Sequence, residues 1–126
     1  MRDLHNLEVA DAARSLALAV YVVTGRFPSH ERYGLAAQMR RAAVSVVSNI
    51  AEGSARGGDR EFAQFLYVAL GSATELAVQL DLAIALEFTS VTEGASLSDR
   101  VNHVQRMLNR LTSSLRRKLL RPRIER

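Results

Sequence analysis

Apolar residues recur at intervals of three and four along most of this chain, the spacing of one face of an α-helix. Val9, Ala13, Leu16, Val20 and Val23 mark a first helix over about residues 7–24. Gly25 is placed to stop it, and Pro28 disfavours helix at Phe27. Residues 29–33 suit one short helical turn, and Gly34 permits a bend. Leu35, Met39, Ala42, Ala43, Val46 and Ile50 mark a second helix over about 35–55. Gly57-Gly58 end it, and Asp59 is a good N-cap for a third helix. Along that helix, about 60–88, Phe62, Leu66, Ala69, Ala73, Leu76, Leu80 and Ala83 form a heptad seam. After a linker at 89–95, Ser96-x-x-Asp99 resembles a capping box. Leu97, Val101, Val104, Leu108, Leu111 and Leu115 make a second heptad seam over about 97–120. The charged stretch 121–126 is expected to fray. Four amphipathic helices joined by short loops predict one all-α domain over residues 1–126, an antiparallel up-down-up-down four-helix bundle.

Polar residues interrupt this pattern at helical spacing too. Gln38, Arg41, Ser45, Ser48, Asn49 and Glu52 run beside the second seam, and Gln64, Ser72, Glu75 and Gln79 beside the third. Two helices with an apolar seam and a polar stripe each carry more surface than one bundle core uses, which predicts self-association. Gly71 lies inside the third helix, where it costs about 1 kcal/mol of helix propensity. Close approach of another helix is the expected return.

Composition agrees with a helical bundle: 48% apolar residues, 6% aromatic and two prolines. There is no cysteine, hence no disulfide and no thiolate metal site. The N-terminus has mixed charge and no apolar signal region, and no run is read as the ~20 apolar residues of a membrane span.

Charge changes the picture more. The net charge of +4 divides into −4 over residues 1–99, with 8 Arg and 12 acidic residues, and +8 over residues 100–126. Sixteen of the seventeen basic residues are Arg. Arg suits bidentate contact with phosphate or carboxylate, although a GC-rich genome yields the same bias.

The segment 26–87 resembles a known family. The pieces that carry the likeness are Phe27-Pro28-x-x-Glu31-Arg32-Tyr33-Gly34-Leu35, Gln38-Met39-Arg40-Arg41-Ala42-Ala43-Val44-Ser45-Val46, Ser48-Asn49-Ile50-Ala51-Glu52-Gly53, Glu61-Phe62-x-x-Phe65-Leu66 and Ala69-Leu70-Gly71-Ser72-x-x-Glu75-Leu76. In order and spacing they are similar to the four-helix-bundle proteins encoded inside 23S rRNA intervening sequences. Ala73-Thr74 and Phe88-Thr89 depart from the usual family residues. The resemblance implies a cytoplasmic, ring-like homopentamer. A more distant relative, the accessory variability determinant of diversity-generating retroelements, is a basic pentamer that binds nucleic acid and a reverse transcriptase. Most family members have no assigned activity.

No catalytic constellation appears. His5, His30 and His103 are scattered, with no paired ligand spacing, so no metal or cofactor is expected. Glu52 and Glu75 lie beside apolar seams, where acid–base chemistry and structural ion pairing both suit them. The pattern favours pairing, since an antiparallel hairpin sets Arg41 level with Glu75 and puts Arg56 one turn after Glu52. Asn49 suits a bond across helices that fixes register. Arg41, Ser45, Asn49, Glu52, Arg56, Ser72 and Glu75 together make a structural polar network. The glycines of 53–58 follow a helix, lack the residues of a phosphate loop, and read as a turn.

The fourth helix carries the best functional candidate. At 100° per residue, Arg106, Arg110, Arg117 and Arg121 share one direction, opposite the leucine seam. Arg116, Lys118 and Arg123 flank them. Repeated around an oligomer, this face suits RNA or DNA backbone. No aromatic is interleaved, so base stacking is not indicated. The sequence thus reads as a non-enzymatic, oligomeric helical protein that contacts nucleic acid. The alternative is a protein-binding scaffold for a partner enzyme, its arginines a solvated face.

Overall fold

A computed structural model describes residues 4–122, with side chains from Glu8 onward. Four α-helices run in order: α1 (Leu4–Thr24), α2 (Leu35–Ala55), α3 (Asp59–Ala85) and α4 (Val91–Leu120). A short 3-10 turn, Ser29–Glu31, lies between α1 and α2. No strand occurs among the described residues. Each helix packs on its chain neighbours, and α1 also packs on α4, whereas the backbones of diagonal helices stay farther apart across the core. That is an antiparallel four-helix bundle. The expected fraying of 121–126 lies outside the described residues from 123 onward.

The core is the set of apolar positions that the helical period selects. Val20, Met39, Val46, Leu66, Leu76 and Leu108 are fully buried. Phe62 is the one large aromatic side chain buried to that degree, so Ala and Leu fill most of the interior. Leu111 is only half-buried, and Thr112 takes its place inside. Thr112 escapes the cost of burying a hydroxyl by donating to the Leu108 carbonyl at 2.9 Å.

Three helix ends differ from the sequence expectation, each for a local reason. The helix over 97–120 begins earlier, at Val91. Its N-cap is Ser90, whose Oγ accepts from the Glu93 backbone N–H at 3.0 Å. Ser90-x-x-Glu93 is therefore the start signal, and Ser96 lies inside the helix on the exposed side. α3 stops at Ala85, three residues short of Phe88. Glu87 takes the left-handed conformation, φ 61°. The Phe88 N–H then bonds the Ala83 carbonyl at 2.9 Å and the Glu87 N–H bonds that of Ile84 at 3.0 Å, the two bonds of a Schellman stop. Phe88 folds back so that its ring lies 5.6 Å from that of Phe27. α3 begins at Asp59, which is its first residue and not its cap: the N-cap is Gly58, with no side-chain cap bond, while α2 ends at Ala55 as expected with Gly53 buried inside it.

Glycines mark the tight helix contacts. A Cβ on Gly53 would lie 2.6 Å from the Phe65 Cβ, and one on Gly94 would lie 2.6 Å from the Ile84 Cγ1. Gly71 is the opposite case. It is exposed, and a Cβ there would meet nothing within 4 Å. Within one chain, no helix approaches it.

Candidate nucleic-acid interface

α4 is an uninterrupted 30-residue helix, so the direction shared by its arginines persists along its length. Its seam of Leu97, Val101, Val104, Leu108 and Leu115 is buried against the other helices. Arg106, Arg110, Arg116 and Arg117 are exposed, and Arg121 is the exposed C-cap residue. None of these five makes an ion pair among the described residues. Their charges are therefore available to an external anion. Arg117 and Lys118 lie in the last turn, where positive charge is favourable against the helix dipole. Arg123 lies outside the described residues.

Lys118 has a structural role besides. Its Nζ lies 2.8 Å from an Asp59 carboxylate oxygen, tying the end of α4 to the start of α3. The basic line thus runs toward the end of the bundle that holds the α2–α3 turn. At the other end, Arg26 pairs with Glu93 and holds the end of α1 to the start of α4. Arg40 caps α1 from α2: its Nε donates to Thr24 Oγ1 at 2.8 Å, and its guanidinium donates to the Tyr21 carbonyl at 3.2 Å. It also stacks 4.6 Å above the Tyr21 ring.

The expected polar network divides in two. Ser45 and Ser72 meet across the α2–α3 contact at 2.7 Å. Asn49 makes no bond across helices. Its Nδ2 donates to the Ser45 carbonyl at 2.8 Å and to Ser45 Oγ at 3.1 Å, because an i−4 partner on its own helix is nearer. Glu52 pairs with Arg56 at 2.7 Å, and Arg56 also reaches Glu61 at 3.7 Å.

Two expectations in this region are corrected. Glu52 and Glu75 are exposed rather than partly buried. Arg41 and Glu75 do not pair within the chain. The Ser45 to Ser72 contact confirms the antiparallel register to within one residue, but Arg41 and Glu75 both point away from the α2–α3 contact into solvent. Axial level was right and azimuth was not.

The side chain of His5 lies outside the described residues. His30 is exposed and sits edge-on to Phe88 at 6.3 Å; His103 is exposed on α4. Among the described residues, no group of three or more His, Asp or Glu could hold a metal ion.

Sequence reasoning also missed the outer surface of α3. This helix is long and apolar enough to cross a membrane by length and composition, with a mean hydropathy of 1.4 over its most apolar 18 residues. The signal was a second apolar line, Tyr67, Val78 and Leu82, on the side of the helix opposite the buried seam.

The family model for the 23S rRNA-intervening sequence protein matches residues 5–110. The basic end of α4 beyond Arg110 lies outside that match. No curated protein matches the chain. A solved structure from Bacteroides thetaiotaomicron, described as a protein of unknown function from the S23 ribosomal protein family, superposes with a TM-score of 0.81. It is 19% identical, with 87% of this chain and 99% of that chain covered, a likeness of fold.

Proposed function

The chain belongs to the 23S rRNA-intervening sequence protein family, and on that premise we propose that it is a non-enzymatic, oligomeric helical bundle of the cytoplasm that holds nucleic-acid backbone on the basic face of α4. The observation that carries this reading is the line of exposed arginines, Arg106, Arg110, Arg117 and Arg121, with no ion-pair partner among the described residues. Their charge is not spent on holding the bundle together. The family resemblance supplies the number five for the assembly. In a ring, each copy repeats the line, and the summed field attracts a polyanion more strongly than one helix does.

The chemistry favours phosphate over bases. Exposed arginines along one helix neutralise phosphates and release counterions, so affinity falls with salt and varies little with sequence. The test is a salt titration of binding to labelled RNA and DNA, for the wild type and for a variant with all four arginines changed to Ala. Tight, salt-sensitive binding lost in the variant supports the reading. Equal, salt-insensitive binding by both proteins removes the basic face from it. Absence of binding at low salt, with an enzyme captured from cells instead, moves the function to a protein adaptor.

A further inference from the structure

A small cavity at the corner between α1 and α2 stands apart from the basic face. It lies where α1 ends and α2 begins, away from the α2–α3 turn toward which the arginines of α4 run. It is largely enclosed, with a volume of about 200 Å³. Arg32 and Arg40 line it together with Thr24 and Ser29. Phe27, Pro28 and Ala36 supply an apolar wall, and no carboxylate reaches it. The carboxylate of Glu31, beside Arg32 in the chain, is engaged elsewhere. It accepts from the Leu35 N–H at 3.1 Å and faces the His30 ring nitrogen at 3.8 Å.

Most of the donors around this cavity are not spent within the chain. Thr24 is the exception. A hydroxyl has one proton to give, and that of Thr24 goes to the Val20 carbonyl at 2.6 Å, so its oxygen is left to receive Arg40 Nε. Thr24 therefore positions Arg40 and does not itself donate to a ligand. Arg40 is half-buried, and its bonds go to neutral oxygens, Thr24 Oγ1 and the Tyr21 carbonyl. A guanidinium carries five N–H groups, and those of Arg40 beyond these bonds have no partner among the described residues. The Arg32 guanidinium and the Ser29 hydroxyl have no hydrogen-bond or ion-pair partner there either.

The charge and size of the cavity define what fits. Two guanidiniums with no facing carboxylate match a dianion. A phosphate monoester carries about −1.5 to −2 at neutral pH, and a carboxylate only −1. Pockets for drug-sized molecules run to roughly 300–1,000 Å³, so this cavity admits a smaller body. We propose that it binds a small phosphate monoester, with Arg32, Arg40 and Ser29 donating to the phosphate and Phe27, Pro28 and Ala36 packing against the rest. Arg40 is already held by Thr24, by the Tyr21 carbonyl and by the Tyr21 ring, so little ordering opposes binding. The apolar wall lowers the local dielectric and strengthens the charge-assisted hydrogen bonds.

The test is calorimetric titration with inorganic phosphate, glycerol phosphate and acetate at matched ionic strength. Four proteins are compared: the wild type, Arg32→Ala, Ser29→Ala, and the variant with Arg106, Arg110, Arg117 and Arg121 changed to Ala. The wild type should bind both phosphates saturably and acetate far more weakly. Arg32→Ala should weaken phosphate binding by roughly tenfold or more, the usual loss for a hydrogen bond to a charged group. Ser29→Ala should weaken it by a smaller factor. Arg32 and Ser29 are exposed, and circular dichroism should show the helices intact in both variants. The fourfold variant should bind phosphate as the wild type does. Absence of saturable phosphate binding by the wild type overturns the proposal, as does equal binding by Arg32→Ala and Ser29→Ala. Acetate binding as tight as phosphate, or refusal of glycerol phosphate, overturns the ligand class. Loss of phosphate binding in the fourfold variant alone assigns the ion to α4 and overturns the cavity, while the nucleic-acid reading stands.

Discussion

The Ser45 hydroxyl of α2 lies 2.7 Å from the Ser72 hydroxyl of α3, the side-chain hydrogen bond that pins these two helices in register. Both residues are half-buried. Asn49, one turn along α2, donates to the same Ser45 oxygen. The contact is polar but sits beside small residues, so the helix backbones come close enough for two short side chains to meet.

Changing either serine to Ala is expected to cost about 1 kcal/mol, the usual net value of a partly buried hydrogen bond. The remaining hydroxyl can turn to a carbonyl of its own helix, which limits the loss. Changing both should cost less than the sum of the single changes. A double-mutant cycle by urea unfolding reads the difference. Strict additivity shows that the two hydroxyls do not share a bond in solution.

Gly53 and Gly94 should tolerate a methyl group unequally. At Gly53 the clash is with the Phe65 Cβ, an atom anchored to the backbone, so the helices themselves must part. Overpacking of this kind costs about 1–3 kcal/mol. At Gly94 the clash is with the Ile84 side chain, which has another rotamer to try. Gly53→Ala should therefore lower the urea midpoint more than Gly94→Ala. The reverse order places the tighter contact at the other helix pair.

Glu87 occupies a backbone conformation that a side chain disfavours by about 1–2 kcal/mol. Glu87→Gly removes that cost while keeping the two hydrogen bonds that stop α3. Glycine gives back part of the gain through a floppier unfolded chain. The net expectation is a stabilisation of about 1 kcal/mol, seen as a higher melting temperature. A loss of stability rules out the left-handed stop.

The start of α4 separates two serines. Ser90→Ala deletes the acceptor for the Glu93 N–H and should cost about 1 kcal/mol. Ser96 is inside the helix and exposed, and Ser96→Ala should be neutral or slightly stabilising. Calorimetry on the two variants checks the order.

That contrast shows what the sequence made legible. The seams through Leu76 and Leu108 could be read because burial on one face imposes a period on many residues at once, and both are fully buried. The start of α4 could not be read as easily. Val91, Thr92 and Gly94 are weak helix formers, so Ser90-x-x-Glu93 stands out less than the similar pattern one turn and a half later. Packing of Gly94 on Ile84 overrides that local weakness. The Arg41 and Glu75 pairing failed for a different reason. Helix lengths and the turn set how far along the bundle a residue lies. The direction of a side chain at the edge of a helix contact depends on how the helices rotate about their axes. Ser45 and Ser72 settle that rotation, and no pattern in either helix reveals it alone. On α4 the seam and the arginines are opposite faces of one helix, so finding the first located the second.

The face of α4, rather than its total charge, is the claim that single substitutions can separate. Arg110 lies in the basic line; Arg100 lies on the same helix but about 80° away from it, at 100° per residue. Each carries one charge, and both are exposed. If phosphate lies along the line, Arg110→Ala should lower the slope of log affinity against log salt by up to about one unit for each copy in contact. Arg100→Ala should change it far less. Lys118→Ala is a third case. It removes a flanking charge together with the Asp59 pair, so it should lower both the slope and the stability, the latter by only about 0–1 kcal/mol because Lys118 lies at the surface, exposed to solvent and salt. Anisotropy titrations across salt, beside a thermal melt for each variant, supply all three comparisons. Equal losses for Arg100→Ala and Arg110→Ala would reduce the effect to net charge and take the binding face off α4.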